Sequence, residues 1–555
     1  MSSTVLVRSA LNPPVPNLPT LTLSPRDEPN EDEKHGYYYG IPSRPLLVAR
    51  SNTQPWQSHP FSSSWPSAKT LQAVERSHPI AEAWCSGLFR QIIEVLKNVS
   101  FTTIDVVRIG YLQDKELPPV VLWIGVPNNS LSSRVGNEIV DACVEILRRY
   151  QLFDVQCEIR ESEYRQSAPS PTCSPTYLAP ETATFASGGF PAQLIASPGQ
   201  SINLAGSTAH GSLGPYLRAG KGNPDAECVY AITCRHAALP GTDLEENFDW
   251  ERAGQPLKNI LLPSDATVCQ ELKEINSSER IHKVKRLDIR EKLMVCLPEE
   301  EERLKLRLER LHHETNLRED RQQLLSAWAP KENRVFGHVV TAPPLRVAKS
   351  SDPSGLGSIV DWALIKVHLK KQSDGKVMNW INFKPDETAQ VNDMMIHHLE
   401  HHPESRFDLL KESTLCLSRA VPANELHFLF KPIEFLPEKD FQRILVGMKG
   451  AHSGLTWGQV NGVSSIVSHH DTNKGTQETL SMELCVLPFL RTNDKAFSQC
   501  GDSGSAVFDL EGRIVGIVHG GSGSLQKASK DVTYVSLMAD IQRGLNERGY
   551  SVEIA

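Results

Sequence analysis

Residues 500–509 read CGDSGSAVFD, and residues 510–521 continue LEGRIVGIVHGG. The second half is a short apolar run, a Gly-containing turn and a second apolar run, which predicts two neighbouring strands. The first half predicts a tight turn, because glycines at 501 and 504 permit backbone angles that other residues avoid. A serine hydroxyl is a weak nucleophile unless a base takes its proton and nearby donors receive the charge that develops on the attacked carbonyl. Ser503 sits where a strand through Ala506, Val507 and Phe508 would hold it on a rigid edge. The backbone amides of Gly501 and Ser503 are then candidates for an oxyanion hole, with Asp502 fixing the loop through local hydrogen bonds. Removing one such donor typically costs about 3–4 kcal/mol of transition-state stabilisation. GDSG is also good turn composition, so a plain turn between two strands is the alternative.

A base would have to come from elsewhere in the chain. The run VYAITCRHAAL places His236 just after an apolar strand pattern, and DWALIKV opens with Asp361 before Trp362, Leu364 and Ile365. Taken singly, His236 reads equally as a hydrogen-bonded core histidine and Asp361 as a solvated strand start. Taken together, imidazole, carboxylate and hydroxyl follow one another in the order His, Asp, Ser, one of the few orders that recurs in nucleophilic sites.

Around these segments, INLAGSTAHGSLGPYL, RVFGHVVTAPPL, LTWGQVNGVSSIV, MELCVLPFL and VTYVSLM are short β-type runs broken by glycine and proline, which suits an antiparallel barrel. Residues 265–328 interrupt them. This stretch is highly charged, with Val268, Leu272 and Ile275 on one helical stripe and Leu304, Leu308 and Leu311 on another, and Pro298 opens an acidic first turn. A helical hairpin inserted into the barrel is expected, with a coiled-coil partner surface as the alternative. The segment ADIQRGLNERG predicts a short terminal helix.

Residues 37–165 have a different rhythm. Trp84, Leu88, Ile92 and Val95 recur at helical spacing, TTIDVVRIGY and VVLWIGVP are β-rich, and Val135, Ile139, Cys143, Ile146 and Tyr150 mark a second amphipathic helix before DVQCEIR. A small α+β module without catalytic residues is expected there. Residues 1–36 read as a disordered tail, and the Ser- and Pro-rich stretch 166–189 as a linker to the region 190–545.

Composition limits the functional classes. The net charge of the 555 residues is −8, which gives no support to nucleic-acid binding, and no stretch reaches the length of a membrane span. The 11 cysteines are scattered, with no CxxC pair, which suits reduced thiols in the cytoplasm or nucleus, and the N-terminus lacks a signal-peptide core. HHLEHH at 397–402 would put His397 and His401, and His398 and His402, on shared helix faces at metal-ligand spacing. It lacks the HExxH placement and a complementary ligand cluster, so an exposed polar helix is preferred and no metal or cofactor is expected. Cys500 is the weaker nucleophile candidate, since it precedes the glycine that would supply the oxyanion donor.

The blocks AITCRH, DWALIKV and CGDSGSAVFD with GIVHGG resemble the His, Asp and Ser blocks of chymotrypsin-fold serine peptidases, especially intracellular trypsin-like proteins of fungi. The resemblance covers roughly 190–545 and leaves the N-terminal module unexplained. It implies a chymotrypsin-like double β-barrel and hydrolysis of a protein or peptide substrate. His236 would be the general base, Asp361 its orienter and Ser503 the nucleophile. Three features depart from the family pattern. Arg235 replaces the small residue before the histidine, with no disulfide partner supported there. The Arg-IVGG signature of zymogen cleavage is missing, and His236 and Asp361 stand about 125 residues apart. The resemblance also puts Phe497 at the floor of the first specificity pocket, about six residues before the serine, which disfavours cleavage after Lys or Arg. His519, Gly520 and Gly521 would line the pocket wall and present backbone to substrate, with a surface position for the His519 side chain as the alternative. Two further functions stay open: a catalytically weak scaffold that recruits protein partners through the hairpin and the N-terminal module, and acyl transfer involving a small ester.

Overall fold

A computed structural model describes residues 28–555 except 57, 60–61, 167–195, 221–227, 242–245, 251–255, 350–354, 369–378, 402–412, 423–424, 426–444, 470–478 and 490–495. The described residues form a mixed α/β protein built on two large sheets, one of fourteen strands and one of nine.

The nine-stranded sheet carries the histidine and aspartate segments. Its middle is the antiparallel set Val335–Ala342, Ala363–Val367, Val229–Thr233 and Tyr216–Ala219. Ile232 lies opposite Leu364 and Thr233 opposite Ala363. This register brings the end of one strand and the start of the other to the same rim. The last strand of this sheet is Val552–Ile554, which pairs with Tyr216–Ala219, so the folded region extends past 545 to the end of the chain. The expected terminal helix is present as Met538–Glu547, burying Met538, Ile541 and Leu545.

The fourteen-stranded sheet carries the serine segment. The strand Ala506–Asp509 lies between Leu445–Gly450 and Arg513–Gly523, and all four of its residues are buried. The two sheets meet over a shared core in which Ile232, Trp362 and Leu364 join Trp457, Phe508 and Ile517. Each large apolar side chain removed from water there contributes about 1.5–3 kcal/mol.

The region 37–165 contains the expected strands and helices. The run VVLWIGV forms Val120–Val126, buried throughout and parallel to Val155–Glu161, with helix Ser133–Arg149 as the crossover. A parallel pair covered by such a helix reads as a continuous apolar run rather than an alternating one. The buried stripe of that helix contains Ile139, Val140, Cys143, Val144 and Leu147, while Val135 at the expected start of the stripe is exposed. The region is not set apart from the rest of the chain, as its sequence rhythm suggests. Thr103–Tyr111 pairs with Ser465–His469 through Ile104 opposite Ile466 and Thr103 opposite Val467, so one sheet runs through both. The expected tail also ends early: Glu31–Gly36 is a short helix capped by Asn30, while residues 1–27 and most of the Ser/Pro-rich stretch lie outside the described residues.

A buried ion cluster lies at this junction. Arg160 Nη2 donates to Asp105 Oδ2 at 3.0 Å and to Ser522 Oγ at 2.9 Å, and Nη1 reaches Asp531 Oδ2 at 3.4 Å. The guanidinium lies 3.1 Å from the centroid of the Trp123 ring, and Ser43 Oγ donates to Asp531 Oδ2 at 2.6 Å.

The charged stretch forms two helices, Asp265–Val295 and Pro298–Trp328, folded back on each other. At 31 residues each they extend roughly 45 Å. Glu271 pairs with Arg321, and His282 with Arg318 and Glu314, across the antiparallel seam. Val268, Ile275, Leu311 and Leu325 are buried, whereas Leu306, Met294 and Val295 toward the turn are exposed. No helix among the described residues is long and apolar enough to cross a membrane.

Candidate active site

His236 lies on the short helix Arg235–Ala238 that follows strand Val229–Thr233, and Asp361 lies between Ile359–Val360 and Ala363–Val367. Strand pairing thus brings together two residues far apart in the chain. His236 Nδ1 stands 2.5 Å from Asp361 Oδ2, and the His236 amide donates to Asp361 Oδ1 at 3.2 Å. On the other side of the ring, Nε2 is 2.8 Å from Ser503 Oγ. One imidazole therefore bridges a carboxylate and a hydroxyl. Burial alone would raise the Asp361 carboxyl. The His236 partner, helped by His519, outweighs burial and holds it below the usual carboxylate range. Asp361 and Ser503 are fully buried and His236 nearly so.

The serine loop folds as its glycines predict. Gly501 has φ +96° and Gly504 φ +94°, and a Cβ on Gly504 would stand 2.2 Å from Thr233 Oγ1 and 2.3 Å from Ser212 O. Only glycine permits that close approach between the two sheets. The loop is tied across the gap by Ser212 N donating to Ser503 O at 2.7 Å and Ser212 Oγ donating to Gly501 O at 3.1 Å. Among the described residues, the amides of Gly501 and Ser503 donate no turn or loop hydrogen bond to a backbone oxygen.

Asp502 is held more broadly than by local bonds. Its Oδ1 accepts from the amides of His452 at 2.9 Å and Ser453 at 3.2 Å, and its Oδ2 from Ser453 Oγ at 2.5 Å and Gln499 N at 2.8 Å. The carboxylate is thus satisfied by four donors from its own turn and the neighbouring 452–453 loop.

His452 also meets His210, Nε2 to Nε2 at 3.0 Å, with the rings stacked 4.7 Å apart. Burial and the neighbouring His452 push His210 from 6.5 down to about 4. An unfolded histidine takes up its proton near pH 6.5, so between 6.5 and 4 the unfolded chain binds more protons and stability falls as pH drops. In urea titrations at pH 7 and pH 5, His210→Gln should lose about 1–2 kcal/mol less stability than wild type. Equal losses would assign the acid sensitivity to other groups.

The remaining residues singled out from the sequence are placed as follows. Phe497 is wholly buried in an apolar cluster with Val446, Met448, Val486, Val507 and Val518, so its ring is part of the core. His519 is not at the surface: it is fully buried, its Nε2 3.4 Å from Glu483 Oε2 and its Nδ1 3.5 Å from the Tyr164 hydroxyl. It faces inward, close enough to Asp361 to help lower its carboxyl. The Gly520 and Gly521 backbone is paired with Gln166 and Arg165. Cys500 is buried. The helix Pro385–His401 carries the start of HHLEHH, but the side chains of 397–402 lie outside the described residues.

Several contributors carry no sequence signal. Arg235 is buried and donates to the carbonyls of Ala342, Pro343 and Glu246. Ser212, His452, Ser453 and Tyr164 belong to no recognisable motif. Cys234, His236 and Asp361 offer ligand atoms within 4.8 Å of one another. Burial and Asp361 push the Cys234 thiol well above its usual range, and its Sγ donates to Val518 O at 3.1 Å. No protein-family model and no curated protein matches this chain.

Proposed function

We propose that this chain is a serine endopeptidase with a chymotrypsin-like double β-barrel, in which Ser503 attacks a peptide carbonyl. The observation that carries the reading is the bridging imidazole: His236 lies 2.5 Å from Asp361 and 2.8 Å from Ser503. In the resting state Ser503 Oγ–H donates to Nε2, while Nδ1–H donates to the Asp361 carboxylate. As Oγ bonds to the carbonyl carbon its proton passes to Nε2, and the charge that develops on the carbonyl oxygen is received by the Gly501 and Ser503 amides. Collapse breaks the C–N bond, and Nε2 returns the proton to the leaving amine. Water then repeats the sequence on the acyl ester and frees Ser503.

The absence of disulfides among the described cysteines supports action inside the cell. The exposed apolar residues near the turn of the long hairpin, Met294, Val295 and Leu297, support a protein partner there. A fluorophosphonate probe should label wild-type protein and leave Ser503→Ala unlabelled. Labelling that persists in the variant would assign the nucleophile elsewhere. A non-catalytic scaffold predicts no labelling of either protein.

A further inference from the structure

The strand Arg513–Gly523 has two edges, and their occupants change along its length. One edge pairs with Val532–Leu537, from Gly516 opposite Leu537 to Ser522 opposite Val532. The other pairs with Ala506–Asp509 as far as Ile517 opposite Ala506. Two further bonds, Val518 N to Ser505 O at 3.0 Å and Gly504 N to Val518 O at 2.8 Å, bring that edge up to the Ser503 turn. There the partner chain leaves. Beyond the turn the same edge is taken by Glu163–Gln166, with Gln166 opposite Gly520, Arg165 opposite Gly521, Tyr164 opposite Ser522 and Glu163 opposite Gly523.

This direction matters. The short strand runs antiparallel, so its Gln166 end is the one nearer Ser503. Gly520 is two residues beyond Val518, or about 7 Å along a strand. An extended chain added to that edge is therefore aimed at the nucleophile, which is how strand addition delivers a peptide to a sheet-borne site.

The segment is anchored by specific contacts. The Tyr164 ring meets His469 edge-on at 5.0 Å and lies 6.0 Å from Tyr534, with its hydroxyl 3.5 Å from His519 Nδ1. Arg165 Nη2 donates to Ser524 O at 3.3 Å. A Cβ on Gly520 would stand 2.9 Å from both Arg165 O and Tyr164 Cε2, so the strand carrying Gly520 is shaped for a chain lying directly on it. Just upstream, Arg160 and Ser43 tie the same region to Ser522 and Asp531. A tethered occupant of this kind acts at an effective concentration in the millimolar range.

We propose that Glu163–Gln166 is a built-in occupant of the peptide-binding edge beside Ser503, excluding extended peptides in trans until this strand leaves. The ligand class of the edge is then an extended peptide with an aromatic side chain opposite Ser522. The inference rests on the hydrolase reading for its catalytic consequence but not for binding, and the test separates the two. In the full-length chain, Arg165→Pro removes a backbone donor from the short strand, and Tyr164→Ala removes the anchor while leaving the backbone unchanged. Both should raise hydrolysis of a fluorogenic extended peptide at least about tenfold, and in Arg165→Pro the rate of labelling by a small fluorophosphonate should stay within about twofold of wild type. Unchanged peptide hydrolysis in both variants, with normal labelling and thermal unfolding, would overturn the proposal. In the Ser503→Ala background, a fluorescent peptide of sequence SEYRQ should bind the Tyr164→Ala protein at least about tenfold more tightly than the parent. Equal affinity would overturn the proposal even if no hydrolysis is detected, whereas tighter binding with no labelling of wild type would overturn only the hydrolase reading.

Discussion

Replacing Asp361 by Asn should lower kcat/KM for a peptide substrate about 10⁴-fold and leave the thermal unfolding midpoint nearly unchanged. Two bonds converge on this carboxylate, one from the His236 amide and one from the ring at Nδ1. The amide donor can still be accepted by the Asn carbonyl oxygen, so the short helix stays in place. The second contact then turns an NH2 toward Nδ1, which favours the tautomer with the proton on Nε2. A protonated Nε2 cannot accept from Ser503 Oγ, and the base is lost although every atom keeps roughly its position. Parallel measurement of kcat/KM and of the unfolding midpoint separates this effect from misfolding. A loss of less than about tenfold with a normal midpoint would remove Asp361 from the mechanism.

Arg160→Ala should destabilise the fold by about 3–5 kcal/mol, the typical cost of removing one partner from a buried ion cluster. Arg160, Asp105 and Asp531 are all fully buried. Burial raises both carboxyls above their usual range even with Arg160 present to lower them. Without the guanidinium, each carboxylate faces burial with one fewer compensating partner. A raised carboxyl contributes stability that is lost as pH rises through its folded value, so the deficit of the variant should shrink on acidification. Urea unfolding at pH 7 and pH 5 measures both effects, and a change of less than about 1 kcal/mol at pH 7 would make the cluster marginal to stability. The expected loss reaches the proposed catalytic machinery as well, because Arg160 holds Ser522 on the strand that carries His519.

The three segments that meet at the candidate site were legible in the sequence because each is local. A histidine after an apolar run, an aspartate before one and a serine between glycines keep their meaning whatever surrounds them. The long hairpin was legible for the same reason, since the spacing of Val268, Leu272 and Ile275 states its own period. Pairing across the chain was not. β-rich composition marks 103–111 and the run up to 467 as strands, but nothing in either says that Ile104 lies opposite Ile466. The donors to Asp502 from His452 and Ser453 are backbone amides and one common hydroxyl, which have no compositional signature. His519 was hard to place because its burial depends on Glu483 and Tyr164, residues that reach it only through long-range register.

The saturation of Asp502 has a further consequence. A carboxylate already engaged by four donors from its own surroundings leaves the turn around Ser503 braced by the fold itself. On the hydrolase reading proposed above, timing then falls to whatever can reach that turn.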